Sequence, residues 1–221
     1  MNKADLTRWS WVEIDRGALR RNTRAYKNLL NPRQRLCCVV KADAYGHGAV
    51  ECAKIMYSAG ADMFAVATVN EGVELRQGGI TKPILILSEP PIEAIPTLLE
   101  FDIMPSVYTS DFALAYGECA VAAGKVGKYH LAIETGMNRI GVHYTQVLDL
   151  SAVLISIAVF SATAYLRTSP RPMNLRAGTT SCSVSALPRP FKPLRMRVLS
   201  AVSCTAPTRR PRCSTPRCIL I

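Results

Sequence analysis

The chain has 221 residues, with 27 Lys+Arg against 16 Asp+Glu and a formal net charge of +11. That average hides a division: residues 1–150 hold 16 basic and 16 acidic residues, whereas residues 151–221 hold 11 basic and no acidic ones. The neutral first part removes the case for nucleic-acid binding there, and cysteines with neither Cys-x-x-Cys nor His at finger spacing exclude a zinc site, so no metal is expected.

Residues 1–11 are polar and lack the apolar stretch of a secretory leader, which predicts a cytoplasmic protein with Cys37, Cys38, Cys52 and Cys119 as buried thiols. Residues 10–14 predict a strand. Asp15 then caps a helix over 16–30 with Leu19, Tyr26 and Leu30 on one face. The apolar run 36–40 ends at Lys41 and predicts a buried strand. Gly48 opens a helix carrying Ala49, Cys52, Ala53 and Met56, and Gly60 stops it. Residues 63–66 predict a strand, and Val69, Val73 and Arg76 fit a helix ending at Gly78-Gly79. Further strands are expected over 84–87, 103–107 and 129–133. Helices are expected over 92–101 and, capped by Ser110, to about Ala123.

Strand and helix therefore alternate at short intervals, and the strands are continuously apolar, the pattern of a parallel sheet covered on both faces. Residues 1–150 have room for five or six βα units, fewer than an eight-fold barrel of roughly 250 residues needs. Pattern alone leaves an unfinished barrel and a doubly wound sheet both open. After Leu150 the alternation is expected to stop. Residues 150–166 are uncharged but slightly short of the roughly 20 residues of a membrane helix. From Arg167 onward Pro, Ser, Thr and Arg dominate without periodicity, a composition that predicts disorder.

A lysine at the end of an apolar strand is unusual. Desolvation there favours the neutral, nucleophilic amine, which can condense with an aldehyde cofactor, although a lysine that merely reaches out to solvent is the commoner case. The string around it decides between them. Val39-Val40-Lys41-Ala42-Asp43-Ala44-Tyr45-Gly46-His47-Gly48 resembles the cofactor-lysine signature of alanine racemases. Other segments resemble the same family: Trp11-Val12-Glu13-Ile14-Asp15, Phe64-Ala65-Val66-Ala67 with Glu71-Gly72, Pro83-Ile84-Leu85-Ile86-Leu87, and Gly136-Met137-Asn138-Arg139-Ile140-Gly141.

The resemblance covers residues 9–150 and implies part of a (β/α)8 TIM-type barrel, followed by an irregular tail over 151–221 and lacking the family's C-terminal β-domain. It implies pyridoxal 5'-phosphate as cofactor, L- and D-alanine as substrates, D-alanine supply for peptidoglycan as the role, and a homodimer, with neither a specific nucleic acid nor a membrane as partner. Lys41 matches the lysine that binds the cofactor and works as a base on one face of the substrate. Tyr45 matches the tyrosine near the cofactor phosphate and Leu87 an apolar wall of the site. Arg139 matches the arginine that bonds the cofactor ring oxygen and orients the second catalytic group, and Met137 a contact to the substrate carboxylate. Ala132 stands where many members carry a carbamylated lysine. His47, His130 and His143 receive no role and are expected at the surface or in loops.

The tail resembles the family in another reading frame. Read from the third base of each codon, residues 164–182 are compatible with VFTHFATADEPESWDYEL, with Met173-Asn174 forcing Glu. Residues 204–221 are compatible with HCANSPATLQHP and, after two free positions, HFD. Both strings resemble what alanine racemases carry next. The expectation is a frameshift near Leu150 and, for the chain as written, little or no racemase turnover. Two other functions are weighed against this one: a non-catalytic barrel protein of cofactor handling, which would lack the Tyr-Gly-His-Gly run, and a nucleic-acid- or membrane-binding protein acting through its basic tail.

Overall fold

The computed structural model describes residues 12–168, apart from residues 33, 135 and 157–159, together with residues 197–198. Helix α1 (Arg16–Asn28) starts where the sequence places it: Asp15 Oδ1 accepts the amides of Gly17 and Ala18 at 2.8 and 2.9 Å. Two of the orphan N–H groups of the first turn are thereby satisfied. Leu19 and Tyr26 bury its inner face. β1 (Leu36–Val39), a helical turn α2 (Lys41–Gly46), α3 (Ala49–Ser58), β2 (Met63–Val66), α4 (Val69–Gln77) and β3 (Ile84–Ile86) follow. Then come α5 (Ile95–Glu100), β4 (Ile103–Met104), β5 (Ser106–Val107), α6 (Ser110–Ala122), β6 (Gly127–Glu134), β7 (Val142–His143), α7 (Val147–Ser156), β8 (Phe160–Thr168) and β9 (Arg197–Val198).

The strands run β4-β3-β2-β1-β9 in one ladder and β5-β6-β7 in the other, with β8 also on β6, and every pair is parallel. The two ladders meet at Pro105. The sequence predicts one strand over 103–107, but proline has no N–H to give the ladder, so pairing with β3 ends at Met104 and pairing with β6 begins at Ser106. The Pro105 carbonyl accepts the His130 amide at 3.0 Å and carries the sheet across the break.

Alternation along the strands sorts the core into two faces. Cys38, Val40, Phe64, Val66, Ile84 and Ile86 join the large cluster that includes Leu19, Tyr26, Met56 and Leu75 of the helices. Cys37, Val39, Met63, Ala65, Leu85 and Met104 form a separate inner cluster, with Leu87 packed on it. Cys37, Cys38 and Cys52 are buried thiols as expected, and Cys119 is half-buried.

Several expectations are corrected. Residues 12–14 form no strand, and Val12 is 77% exposed; residues 10–11 lie outside the described residues. An extended segment needs a neighbouring ladder to become a strand, and none of the described strands pairs with it. The helix expected over 92–101 divides into a 3-10 turn (Ile92–Ala94) and α5, with Pro96 in the first turn, where no N–H is required. Thr109, not Ser110, caps α6, its Oγ1 accepting the Phe112 amide at 3.3 Å.

The alternation also runs past Leu150. Val147, Leu150 and Leu154 bury one side of α7, and β8 lies along the length of β6. Within the uncharged stretch, residues 150–156 are thus the end of a helix and residues 160–166 most of a strand, and no helix among the described residues is long and apolar enough to cross a membrane. The expectation of disorder falls mainly on residues 169–196 and 199–221, which lie outside the described residues.

Candidate functional site

With every strand parallel, the loops that leave their carboxyl ends gather on one rim. Lys41 follows β1, Leu87 follows β3, and Met137 and Arg139 follow β6. Lys41 is half-buried, and among the described residues its ammonium has no hydrogen-bond or ion-pair partner. Leu87 continues the inner apolar face, its amide bonded to the Val66 carbonyl at 2.9 Å.

The chain after Lys41 takes an unusual path. Ala42, Asp43, Ala44 and Tyr45 all lie in the left-handed region, with φ between 51 and 57° and ψ between 39 and 52°. For L-residues this costs roughly 1–2 kcal/mol each, so the turn persists only where its surroundings over-determine it. The Val40 carbonyl accepts the Ala44 amide at 2.9 Å. Asp43 accepts the Gly48 amide on its carbonyl at 3.0 Å and the Ala49 amide on Oδ1 at 2.7 Å. Glu71 Oε1 accepts the Ala42 amide at 2.6 Å. Tyr45 emerges from this turn 43% exposed, and the desolvation that remains pushes its hydroxyl pKa up.

A second clasp holds the loop after β6. Glu134 accepts the amides of Gly136 and, at 2.6 Å, Met137 on Oε1, and that of Arg139 on Oε2 at 3.4 Å. Desolvation raises its pKa, but the amides of Asn138, Gly136, Met137 and Arg139 outweigh it and hold the carboxyl at about 2. The Arg139 side chain is exposed, and its guanidinium has no ion-pair partner among the described residues. The Met137 amide, in contrast, is already committed to Glu134. A substrate carboxylate at that donor would have to displace the Glu134 oxygen.

A third carboxylate works the same way. Glu89 accepts the Tyr108 and Thr109 amides on Oε2 at 2.7 and 2.9 Å, and the Thr109 hydroxyl on Oε1 at 2.6 Å. At this rim carboxylates hold backbone rather than stand free. Sequence reasoning gave no role to Glu71, Glu89 or Glu134. Only Glu71 carries a local signal, the Thr-x-x-Glu spacing of a capping box over 68–71.

His130 is a correction. It is fully buried, not at the surface. Tyr129, Leu131 and Ile133 belong to the helix-side cluster, so alternation puts His130, Ala132 and Glu134 on the inner face. Among the described residues neither ring nitrogen of His130 has a hydrogen-bond partner, and burial pushes its pKa down to about 4. His47, in a turn, and His143, exposed at the end of β7, lie as expected. No group of three or more metal-ligating side chains occurs among the described residues.

The family model for the alanine racemase N-terminal domain matches residues 14–168. The chain belongs to the alanine racemase family. It is 40% identical over 151 residues to the alanine racemase of Synechocystis sp., covering 67% of this chain and 40% of that protein. It is 45% identical over 131 residues to the alanine racemase of Clostridium tetani, covering 59% of this chain and 34% of that protein. The solved alanine racemase of Clostridium difficile 630 in complex with cycloserine superposes with a TM-score of 0.72 at 36% identity, over 75% of this chain and 46% of that one. The chain therefore spans less than half the length of these relatives. Its parallel βα sheet is part of the TIM-type barrel of the solved racemases.

Proposed function

We propose that the protein to which this chain belongs interconverts L- and D-alanine with pyridoxal 5'-phosphate. The observation that carries the reading is an amine, Lys41, without a partner among the described residues, held at a strained turn at the carboxyl end of β1, where barrel enzymes place their chemistry. The donor set fits the cofactor: an amine for its aldehyde, the Tyr45 hydroxyl for its phosphate, the apolar Leu87 for its ring and the exposed Arg139 guanidinium for its ring oxygen. When bound, the cofactor supplies an electron sink that makes the alanine α-proton acidic.

Lys41 Nζ holds or moves that proton on one face of the substrate. The left-handed turn keeps the amine at the rim, and Glu134 keeps the Arg139 backbone in place so that its guanidinium can orient the bound groups. Proton transfer on the opposite face requires a second base, which the family resemblance assigns to a tyrosine of a partner subunit. The intact protein is accordingly proposed to act as a homodimer, in the cytoplasm. The frameshift near Leu150 is part of this proposal, although the family model matches the chain in frame to residue 168 and β8 pairs with β6, and nucleotide sequencing from that codon tests it.

The experiment is solvent-deuterium exchange. The sequence-verified full-length gene product, given L-alanine in deuterium oxide, should place deuterium at Cα while forming D-alanine. Lys41→Ala should abolish both. Exchange that survives Lys41→Ala would overturn the assignment of the base.

A further inference from the structure

Most of the bonds that hold the left-handed turn are made inside its own loop. Val40 takes the Ala44 amide, and Asp43 takes those of Gly48 and Ala49. Among the described residues, Glu71 supplies the side-chain bond that reaches the turn from another βα unit. Its Oε2 accepts the Ala67 and Thr68 amides at 2.7 and 3.0 Å, completing the capping box of α4. Its Oε1 accepts the Ala42 amide at 2.6 Å, 29 residues away in sequence and directly after Lys41.

A capping box needs one acceptor oxygen at this position, and glutamine serves it as well as glutamate. Glu71 accepts on both oxygens, which a glutamine amide, with one oxygen and one NH2, cannot do. We propose that Glu71 is a positioning residue for Lys41: it ties the left-handed turn to the start of α4 and so fixes the direction in which the lysine side chain leaves β1. The inference rests on Lys41 being the cofactor lysine and names what holds it in place.

The two jobs of Glu71 can be separated. Glu71→Gln keeps one acceptor for the capping box but turns an NH2 group toward the Ala42 N–H. Thr68→Ala removes the other half of the box, the 3.3 Å bond from the Glu71 amide to Thr68 Oγ1, and leaves the Ala42 clasp intact. In the double variant Ala42→Gly with Glu71→Gln, glycine occupies the left-handed region without strain.

The test uses the sequence-verified full-length gene product and two readouts. The first is amide hydrogen exchange over residues 40–45. The second is the rate at which pyridoxal 5'-phosphate, condensed with loss of water and fixed by borohydride, labels Lys41 relative to Lys54, an exposed lysine paired with Glu51. Glu71→Gln should speed exchange over the turn and slow Lys41 labelling by on the order of tenfold, the worth of one bond to a charged acceptor. Thr68→Ala should lower the melting temperature and leave both readouts at the wild-type level. The double variant should regain the labelling rate.

A wild-type rate in Glu71→Gln, or equal slowing by Thr68→Ala, would overturn the positioning role while Lys41 stayed the labelled residue. If Lys41 of the wild-type chain reacts no faster than Lys54, the cofactor reading fails and the role toward Lys41 falls with it. The exchange contrast between the two variants distinguishes that failure from loss of the clasp itself.

Discussion

Gly141 passes so close to Glu134 that a Cβ on it would lie 2.8 Å from the Glu134 amide nitrogen and 3.0 Å from the Ile133 carbonyl carbon. The obstacle is backbone, which cannot swing aside, and the Gly141 φ of +110° is itself closed to most L-residues. The loop that carries Met137 and Arg139 is therefore pinned at one end by a glycine and at the other by a carboxylate.

Gly141→Ala should lower stability by about 2 kcal/mol or more, through the clash and the strained φ together. Urea denaturation of the purified chain measures it. A loss below half that size would mean that the loop can shift outward at little cost.

Glu134 predicts an acid sensitivity confined to the same loop. Its pKa falls from 4.5 to about 2 on folding, so the carboxylate's contribution is present above 4.5 and is lost as pH falls through about 2. Amide exchange at Gly136, Met137 and Arg139 should accelerate across that window beyond the intrinsic rate. Glu134→Gln, which has no charge to lose, should flatten the response.

His130 predicts a second pH dependence at higher pH. Burial lowers its pKa from 6.5 to about 4, so between these values the unfolded chain binds more protons than the folded one. Stability should therefore fall as pH drops from 6.5 toward 4, by up to about 3 kcal/mol. His130→Phe should remove that slope. Chemical denaturation at several pH values decides the point, and an unchanged slope in the variant would assign it to other groups.

Arg76 ties the end of α4 to the loops before β3 and β4. Its guanidinium donates to the carbonyls of Phe101, Ile80, Lys82 and Asp102 at 2.7–2.8 Å. Arg76→Ala leaves part-buried acceptors without donors and should cost about 3 kcal/mol. Arg76→Lys should recover little of it, because an ammonium cannot span the fork that a guanidinium fills. Thermal unfolding of the pair of variants is the check.

Much of this was legible in the sequence, for local reasons. The Asp15 cap, the strand Met63–Val66 and the helix Val69–Gln77 follow from capping chemistry and apolar spacing alone. The rim positions of Lys41, Leu87 and Arg139 follow from where the apolar runs end. What the sequence hid depends on contacts made across units. Ala42, Asp43, Ala44 and Tyr45 contain no glycine to announce a left-handed turn, and Glu71, far along the chain, helps impose it. His130 has the look of a loop residue by type, and only the alternation of β6 against the helices turns it inward. The split at Pro105 was visible as a residue, but its effect on two neighbouring ladders was not.

The account's central claim is that Lys41 carries the cofactor. Its most direct measurement is borohydride reduction of the sequence-verified full-length gene product in the presence of pyridoxal 5'-phosphate, followed by peptide mapping. The account predicts a single reduced adduct on Lys41. An adduct on a different lysine in a protein that still racemises alanine would contradict it.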